Sequence, residues 1–220
     1  MGTRLMALFK ELSRWGGVLV MCCIFTVLYM VPNRMEPLRE PTQLFLLGEG
    51  AIPFVESSIL VYMSAFVLIG FQITVLVRSV TKDSDYWRVW FGALAMTVLH
   101  AVVFVGFPTE YPRPDRELSG SFTGALYALY TWADAPTNCF PSFHVAIPVY
   151  MTLSVGKQCK RWVHALMWFW TAAIAVSTVT THQHFVLDAI GGAGISLFVY
   201  TVMKNLDMFL PYKSTWKDES

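Results

Sequence analysis

Six stretches of this chain are apolar over the length that crosses a lipid bilayer, or close to it. That recurrence limits the fold more than any other feature. A helical span needs about 20 mostly apolar residues. The stretches cover roughly residues 15–31, 58–77, 89–107, 141–156, 162–181 and 186–203. Overall, 55% of the 220 residues are hydrophobic and only 14% are charged, with a mean hydropathy of +0.50. An ordinary soluble domain of this length is less apolar. The expected fold is all-α: an integral membrane bundle of six transmembrane helices forming one domain over residues 1–220. Its core is expected at about 58–203, with tails at 1–14 and 204–220. The first run has no small-residue cleavage site and is followed by VPNRMEPLREP, so it is expected to be a retained span rather than a leader.

Charge distribution orients the expected bundle. With the N-terminus inside, the inner segments hold Arg4, Lys10, Arg14, Arg78, Lys82, Arg88, Lys157, Lys160, Arg161, Lys204, Lys213 and Lys217. The outer segments hold Arg34, Arg39, Arg113 and Arg116. By the positive-inside rule, both termini are expected in the cytoplasm of a multi-pass inner (plasma) membrane protein. Tyr86, Trp87, Trp90 and Trp162 fall at span ends, where aromatic belts form. The net charge of +1 selects no partner beyond membrane lipids, and no nucleic acid is expected. The four cysteines suggest no disulfide framework: Cys22 and Cys23 are adjacent within a span, Cys159 is inner, and Cys139 is outer.

The outer connections, 32–57 and 108–140, are the long ones. Within the second, Ser121 to Asp134 reads as a short helix at the outer surface, too short to span. This topology brings three polar clusters to one face: EYPRPDR after the third span, CFPSFH opening the fourth, and THQHFVLD opening the sixth.

Those clusters suit phosphoryl chemistry. His184 and Asp188 stand at i and i+4, one face of a helix. A carboxylate there can fix the imidazole tautomer and leave the other nitrogen as nucleophile or base. Pro141 suits a first helical position. The amides near Ser142 and Phe143 then form a site for an anion. The Ser142 hydroxyl adds a donor, and His144 can carry a proton to a leaving group. Arg113 offers a charged fork for phosphate oxygens. His182 is either a further cation or a bystander. A zinc site built from His144, His182 and His184 is the metal alternative, at a spacing that matches no standard pattern. His100 reads as a buried packing histidine, and Gly191, Gly192 and Gly194 as close-packing positions.

PSFH and STVTTHQHFVLD resemble the second and third signatures of the type 2 phosphatidic acid phosphatase and haloperoxidase superfamily. Those signatures are Pro-Ser-x-His and Ser-Arg-x5-His-x3-Asp. The first signature, Lys-x6-Arg-Pro, is matched by Arg113 and Pro114 in GFPTEYPRP. The resemblance covers about 105–195 and fits a six-span core. The contexts NCFPSFHVA, THQHFVLD and IPFVESSILVYMSAF are similar to the branch that holds inositol phosphorylceramide synthases. The resemblance implies that His184 attacks phosphorus, Asp188 orients it, and His144 protonates the leaving alkoxide. Arg113, Ser142 and Ser177 would hold phosphate oxygens, without metal or other cofactor. Two positions depart from the pattern: Gly106 stands at the family lysine and Thr178 at the family arginine. Having fewer cations suits a phosphodiester headgroup better than a phosphate monoester. The expected activity is therefore cleavage of a lipid phosphate or phospholipid through phosphohistidine, with release to water or transfer to an acceptor alcohol. The alternative is a non-catalytic lipid-binding or assembly protein that keeps the fold. A transporter would place its polar groups nearer the midplane.

Overall fold

The computed structural model describes residues 2–113 and 117–209, with side chains over 6–113 and 117–206. Pro114, Arg116, Lys213 and Lys217 lie outside the described residues, as does the side chain of Arg4. The described chain is helical, with no strand and only two isolated bridges, Thr42 to Thr109 and Glu110 to Thr137. The helices are α1 (Gly2–Arg34), α2 (Ile59–Met63), α3 (Ala65–Ser79), α4 (Asp83–Gly106), α5 (Phe122–Ala133), α6 (Phe143–Val155), α7 (Arg161–Thr180) and α8 (Val186–Phe209).

Five segments are long and apolar enough to cross a membrane: Met6–Arg34, Glu56–Ser79, Asp83–Gly106, Arg161–Thr180 and Val186–Leu206. They coincide with five of the six expected runs. The sixth, 141–156, becomes α6, whose 13 residues extend only about 20 Å at 1.5 Å per residue. That falls short of a hydrocarbon core about 30 Å thick. The reason is visible in its packing. α6 is the central helix, set against α8, α3, α7 and α4. Phe143, Val145, Ala146, Val149, Tyr150, Met151 and Val155 are all buried. Its hydropathy reports enclosure by other helices rather than contact with lipid. The expected N-terminal tail is also helical, since α1 runs unbroken from residue 2.

The outer surface of the bundle is apolar. Leu19, Phe66, Val102, Phe169, Val176 and Phe198 are each more than half exposed. Water would penalise such a surface, whereas lipid tails match it. These helices identify a membrane protein.

Polar contacts inside the bundle join the helices. Gln72 of α3, fully buried, donates to the Pro148 carbonyl at 3.2 Å and to the Thr152 hydroxyl at 2.8 Å on α6. Arg14 of α1 donates to the carbonyls of Val77 and Val80 at 2.9 and 2.6 Å and to Asp83 at 2.7 Å, clamping α1 onto the α3–α4 turn. The connection over 35–58 is tied to the ends of two helices. A Glu49 carboxylate oxygen accepts the Val186 N–H at the start of α8, an arrangement that the helix dipole favours. Glu56 accepts from the Ser119 amide at 2.8 Å and the Thr123 hydroxyl at 2.8 Å at the head of α5.

The tightest approach is between α6 and α8. The Ser142 N–H donates to the Asp188 carbonyl at 2.9 Å. A Cβ added at Gly192 would collide with the Ser142 carbonyl, which is backbone and cannot swing away. One at Gly191 would strike the Phe140 ring, whereas Gly194 faces open space. Gly192→Ala therefore forces the two helices apart. We expect it to cost roughly 1–3 kcal/mol and to lower the melting temperature in detergent, while Gly194→Ala melts like the wild type. Equal melting of the two variants would contradict this packing.

Candidate active site

Two helix starts and one turn assemble the site. α7 ends at Thr180, and the following turn is held by the Thr178 carbonyl, which accepts the Gln183 and His184 amides, each at 3.1 Å. His182 adopts a positive φ of 52° within it. The turn places His184 just before α8 and Asp188 in the first turn of α8.

His184 is buried, and its Nδ1 lies 3.0 Å from the Cys139 carbonyl. A carbonyl can only accept, so Nδ1 carries the proton and Nε2 keeps its lone pair. The Asp188 carboxylate stands 3.4 Å from the same nitrogen, fully buried. Its Oδ2 also accepts the Phe185 amide at 2.8 Å. The sequence pattern assigns the tautomer of His184 to Asp188. In the structure the Cys139 carbonyl makes the shorter contact, with Asp188 adding charge beside it.

His144 occupies the first turn of α6, with its ring centre 6.1 Å from that of His184. Its Nδ1 meets the Tyr62 hydroxyl at 3.0 Å, and the two rings stack at 4.2 Å. The contact continues from Tyr62 to the Tyr130 hydroxyl at 2.6 Å, and from Tyr130 to Asp134 Oδ2 at 3.0 Å. Tyr29 donates to Asp134 Oδ1 at 2.9 Å. Burial pushes the Asp134 carboxyl above the usual carboxylate value, while Tyr29, Tyr130 and Arg113 pull it back.

Arg113 is half-buried beside this carboxylate, 3.8 Å from Oδ2. Its guanidinium donates to the carbonyls of Asp134 at 2.6 Å and Thr131 at 3.3 Å, and to the Gln183 side-chain oxygen at 2.6 Å. The protein thus already engages most of its donors. Nε remains buried and unpartnered, together with Ser142 Oγ and Asp188 Oδ1. Unsatisfied buried polar atoms are uncommon and call for an explanation. Of these three atoms, Arg113 Nε and Ser142 Oγ are donors and Asp188 Oδ1 is an acceptor.

Other expected residues sit differently. The Ser142 amide is occupied by the Asp188 carbonyl, leaving its hydroxyl as the available donor. Ser177 and Thr178 are buried and donate their single hydroxyl protons to the Ile174 and Ala175 carbonyls of their own helix, each at 2.7 Å. His182 directs Nε2 to the Ile52 carbonyl at 3.1 Å and packs against Phe54 and Tyr111. It ties the 35–58 connection to the turn. His100 is a packing residue, fully buried, with Nδ1 on the Met96 carbonyl at 2.7 Å and its ring stacked on Phe143 at 3.9 Å.

Among the described residues, His144, His182 and His184 do not form a metal-ligating group. The one group that does is Cys139, His184 and Asp188, with ligand atoms within 4.8 Å of one another. Burial pushes the Cys139 thiol well above its ordinary value, which keeps it protonated. A protonated thiol is a poor metal ligand.

The sequence reading missed Tyr62, Tyr130, Asp134, Gln183 and the Cys139 carbonyl. A signal for two of them is present in ALYALYTWADA, where Tyr127, Tyr130 and Asp134 recur at i, i+3 and i+7 on one face of an otherwise apolar helix.

A family model described as the PAP2 superfamily matches residues 38–202. No curated protein was found to match the chain.

Arg113→Lys tests the fork geometry. A lysine ammonium cannot reach the Thr131, Asp134 and Gln183 acceptors together. The variant should lose about 1–3 kcal/mol of stability, read as a lower detergent melting temperature. A variant melting with the wild type would show that the guanidinium contacts are dispensable.

Proposed function

The chain belongs to the PAP2 superfamily, and on that footing we propose that it is a membrane enzyme that cleaves a lipid phosphoryl bond through phosphohistidine at His184. Membership itself points to a lipid-phosphatase type of function. The carrying observation is the pair of imidazoles, 6.1 Å apart, each with Nδ1 committed to a protein partner. Such a pair leaves one Nε2 to attack and the other to shuttle a proton.

In the first step, His184 Nε2 attacks phosphorus and the bond from phosphorus to the lipid oxygen breaks. That oxygen takes from His144 Nε2 a proton that the imidazole picks up from solvent as the anionic lipid binds. In the second, water or an alcohol gives its proton to His144 and attacks phosphorus, freeing His184. Arg113 Nε and Ser142 Oγ stabilise the phosphate oxygens, and Asp188 supports the charge that develops on His184. The chemistry needs no metal. An apolar groove of about 310 Å³ lies between α1, α3, α5 and α6, with Asp134 and His144 among its lining residues. A lipid chain whose oxygen takes the proton from His144 fits along it.

The donors left at the site are few, since Gly106 and Thr178 replace two cations and Arg113 is largely engaged. This favours a singly charged phosphodiester and transfer of its headgroup to an acceptor alcohol, as in the synthase-like branch. Active groups would face the outer side of the membrane, with both termini in the cytoplasm.

Incubating the purified protein, with metal chelated, with phosphatidic acid, an isoprenyl pyrophosphate or phosphatidylinositol, each with and without an acceptor alcohol, tests this reading. Turnover is expected on at least one lipid and should fall at least about a hundredfold in His184→Ala. Dependence on the acceptor would mark a transferase, and release of water-soluble phosphate alone a phosphatase. A His184→Ala protein with full turnover on every accepted lipid would sink the mechanism.

A further inference from the structure

A chain of hydrogen bonds runs from His144 through Tyr62 and Tyr130 to Asp134, and its direction can be deduced from its far end. The Asp134 carboxylate receives the Tyr29 hydroxyl on Oδ1 at 2.9 Å and the Tyr130 hydroxyl on Oδ2 at 3.0 Å, with the Arg113 guanidinium at 3.8 Å. Beside a permanent cation and between two phenols, it acts as an acceptor. Each phenol has one proton. Tyr130 uses its proton on Asp134, so in the 2.6 Å contact its oxygen accepts from Tyr62. Tyr62 has then used its own proton, so in the 3.0 Å contact its oxygen accepts from His144 Nδ1.

We propose that Tyr62 and Tyr130 are positioning residues that carry the acceptor polarity of Asp134 to His144, fixing its proton on Nδ1 and leaving Nε2 bare in the resting protein. The proposal rests on the reading of His144 as the proton shuttle. It gives that reading a cause: the shuttle nitrogen is empty until substrate chemistry needs it filled. When His144 accepts a second proton, the positive charge stays linked to Asp134 through three hydrogen bonds, by way of Tyr62 and Tyr130. The Tyr62 ring stacked at 4.2 Å adds its π-face to the same cation. Tyr130 is T-shaped against Tyr62 at 5.0 Å, so packing holds the chain in line. The participants come from α1, α2, α5, α6 and the residue that ends α5, which ties the state of His144 to the assembly of four helices.

The test is nitrogen-15 NMR of the histidine-labelled full chain in detergent. The His144 signals are identified by their absence from His144→Gln. We expect resting wild type to show His144 protonated on Nδ1 only. Tyr130→Phe should convert it to a mixture of tautomers, because Tyr62 can then turn its proton toward His144. Tyr62→Phe should do the same by removing the acceptor outright. In turnover of the accepted lipid, both variants should lose roughly ten- to a hundredfold in kcat, with KM changed less than about threefold. A purely structural role would alter melting but leave the tautomer of folded Tyr130→Phe unchanged. His144 protonated on Nε2 in the resting wild type would overturn the proposal. So would a Tyr130→Phe protein with wild-type tautomer and kcat. Absence of lipid turnover in the wild type would instead count against the proposed function, and the tautomer would still decide the hydrogen-bond chain.

Discussion

The hydrogen bond from the Ser142 amide to the Asp188 carbonyl joins the starts of α6 and α8, and the proposed catalytic arrangement depends on it. His144 follows Ser142 by two residues, and His184 precedes Asp188 by four. Neither helix alone holds two imidazoles 6.1 Å apart. Gly192 permits the approach by leaving room for the Ser142 carbonyl, much as small residues allow close crossing elsewhere in membrane bundles. Because α6 is packed against α3, α4, α7 and α8, it can be shorter than a membrane span and still hold His144 in place.

Around that junction, connecting segments hold the helix ends. Glu49 accepts from the start of α8, Glu56 from the head of α5, and His182 binds the Ile52 carbonyl. Arg113 is bound into the same network by Asp134, Thr131 and Gln183. The Arg113 guanidinium is therefore held in place by the protein itself, with Nε unpartnered. A preorganised donor costs no rearrangement when charge develops. The same network limits how much negative charge the site can balance, which agrees with the absence of lysine at Gly106 and of arginine at Thr178.

Much of this was legible in the sequence, for physical reasons. Apolar runs report helices directly, so the five helices long and apolar enough to cross a membrane follow from hydropathy. The length of α6 was not legible, because hydropathy cannot distinguish a helix facing lipid from one surrounded by helices. That His144, His184 and Asp188 lie close together was legible because ionisable groups are costly inside an apolar run. Tyr62 was not, since tyrosine on an apolar helix is ordinary and its partners His144 and Tyr130 lie 82 and 68 residues away. The Cys139 carbonyl left no sequence signal, because a backbone oxygen has no side-chain identity. Ser177 shows the reverse case: the spacing fits the family pattern, yet its hydroxyl proton goes to its own helix.

The most direct test of the central claim is to trap the covalent intermediate. The protein would be mixed with an accepted lipid labelled in its phosphoryl group, quenched in alkali within one turnover, and the peptide holding residues 181–192 analysed by mass spectrometry. We expect an acid-labile, alkali-stable phosphoryl group on His184, or a phospho-headgroup if the substrate is a diester, that disappears when water or the acceptor alcohol is allowed to react. Turnover that proceeds with His184 unmodified at every quench time, or with the label on another residue, would contradict it.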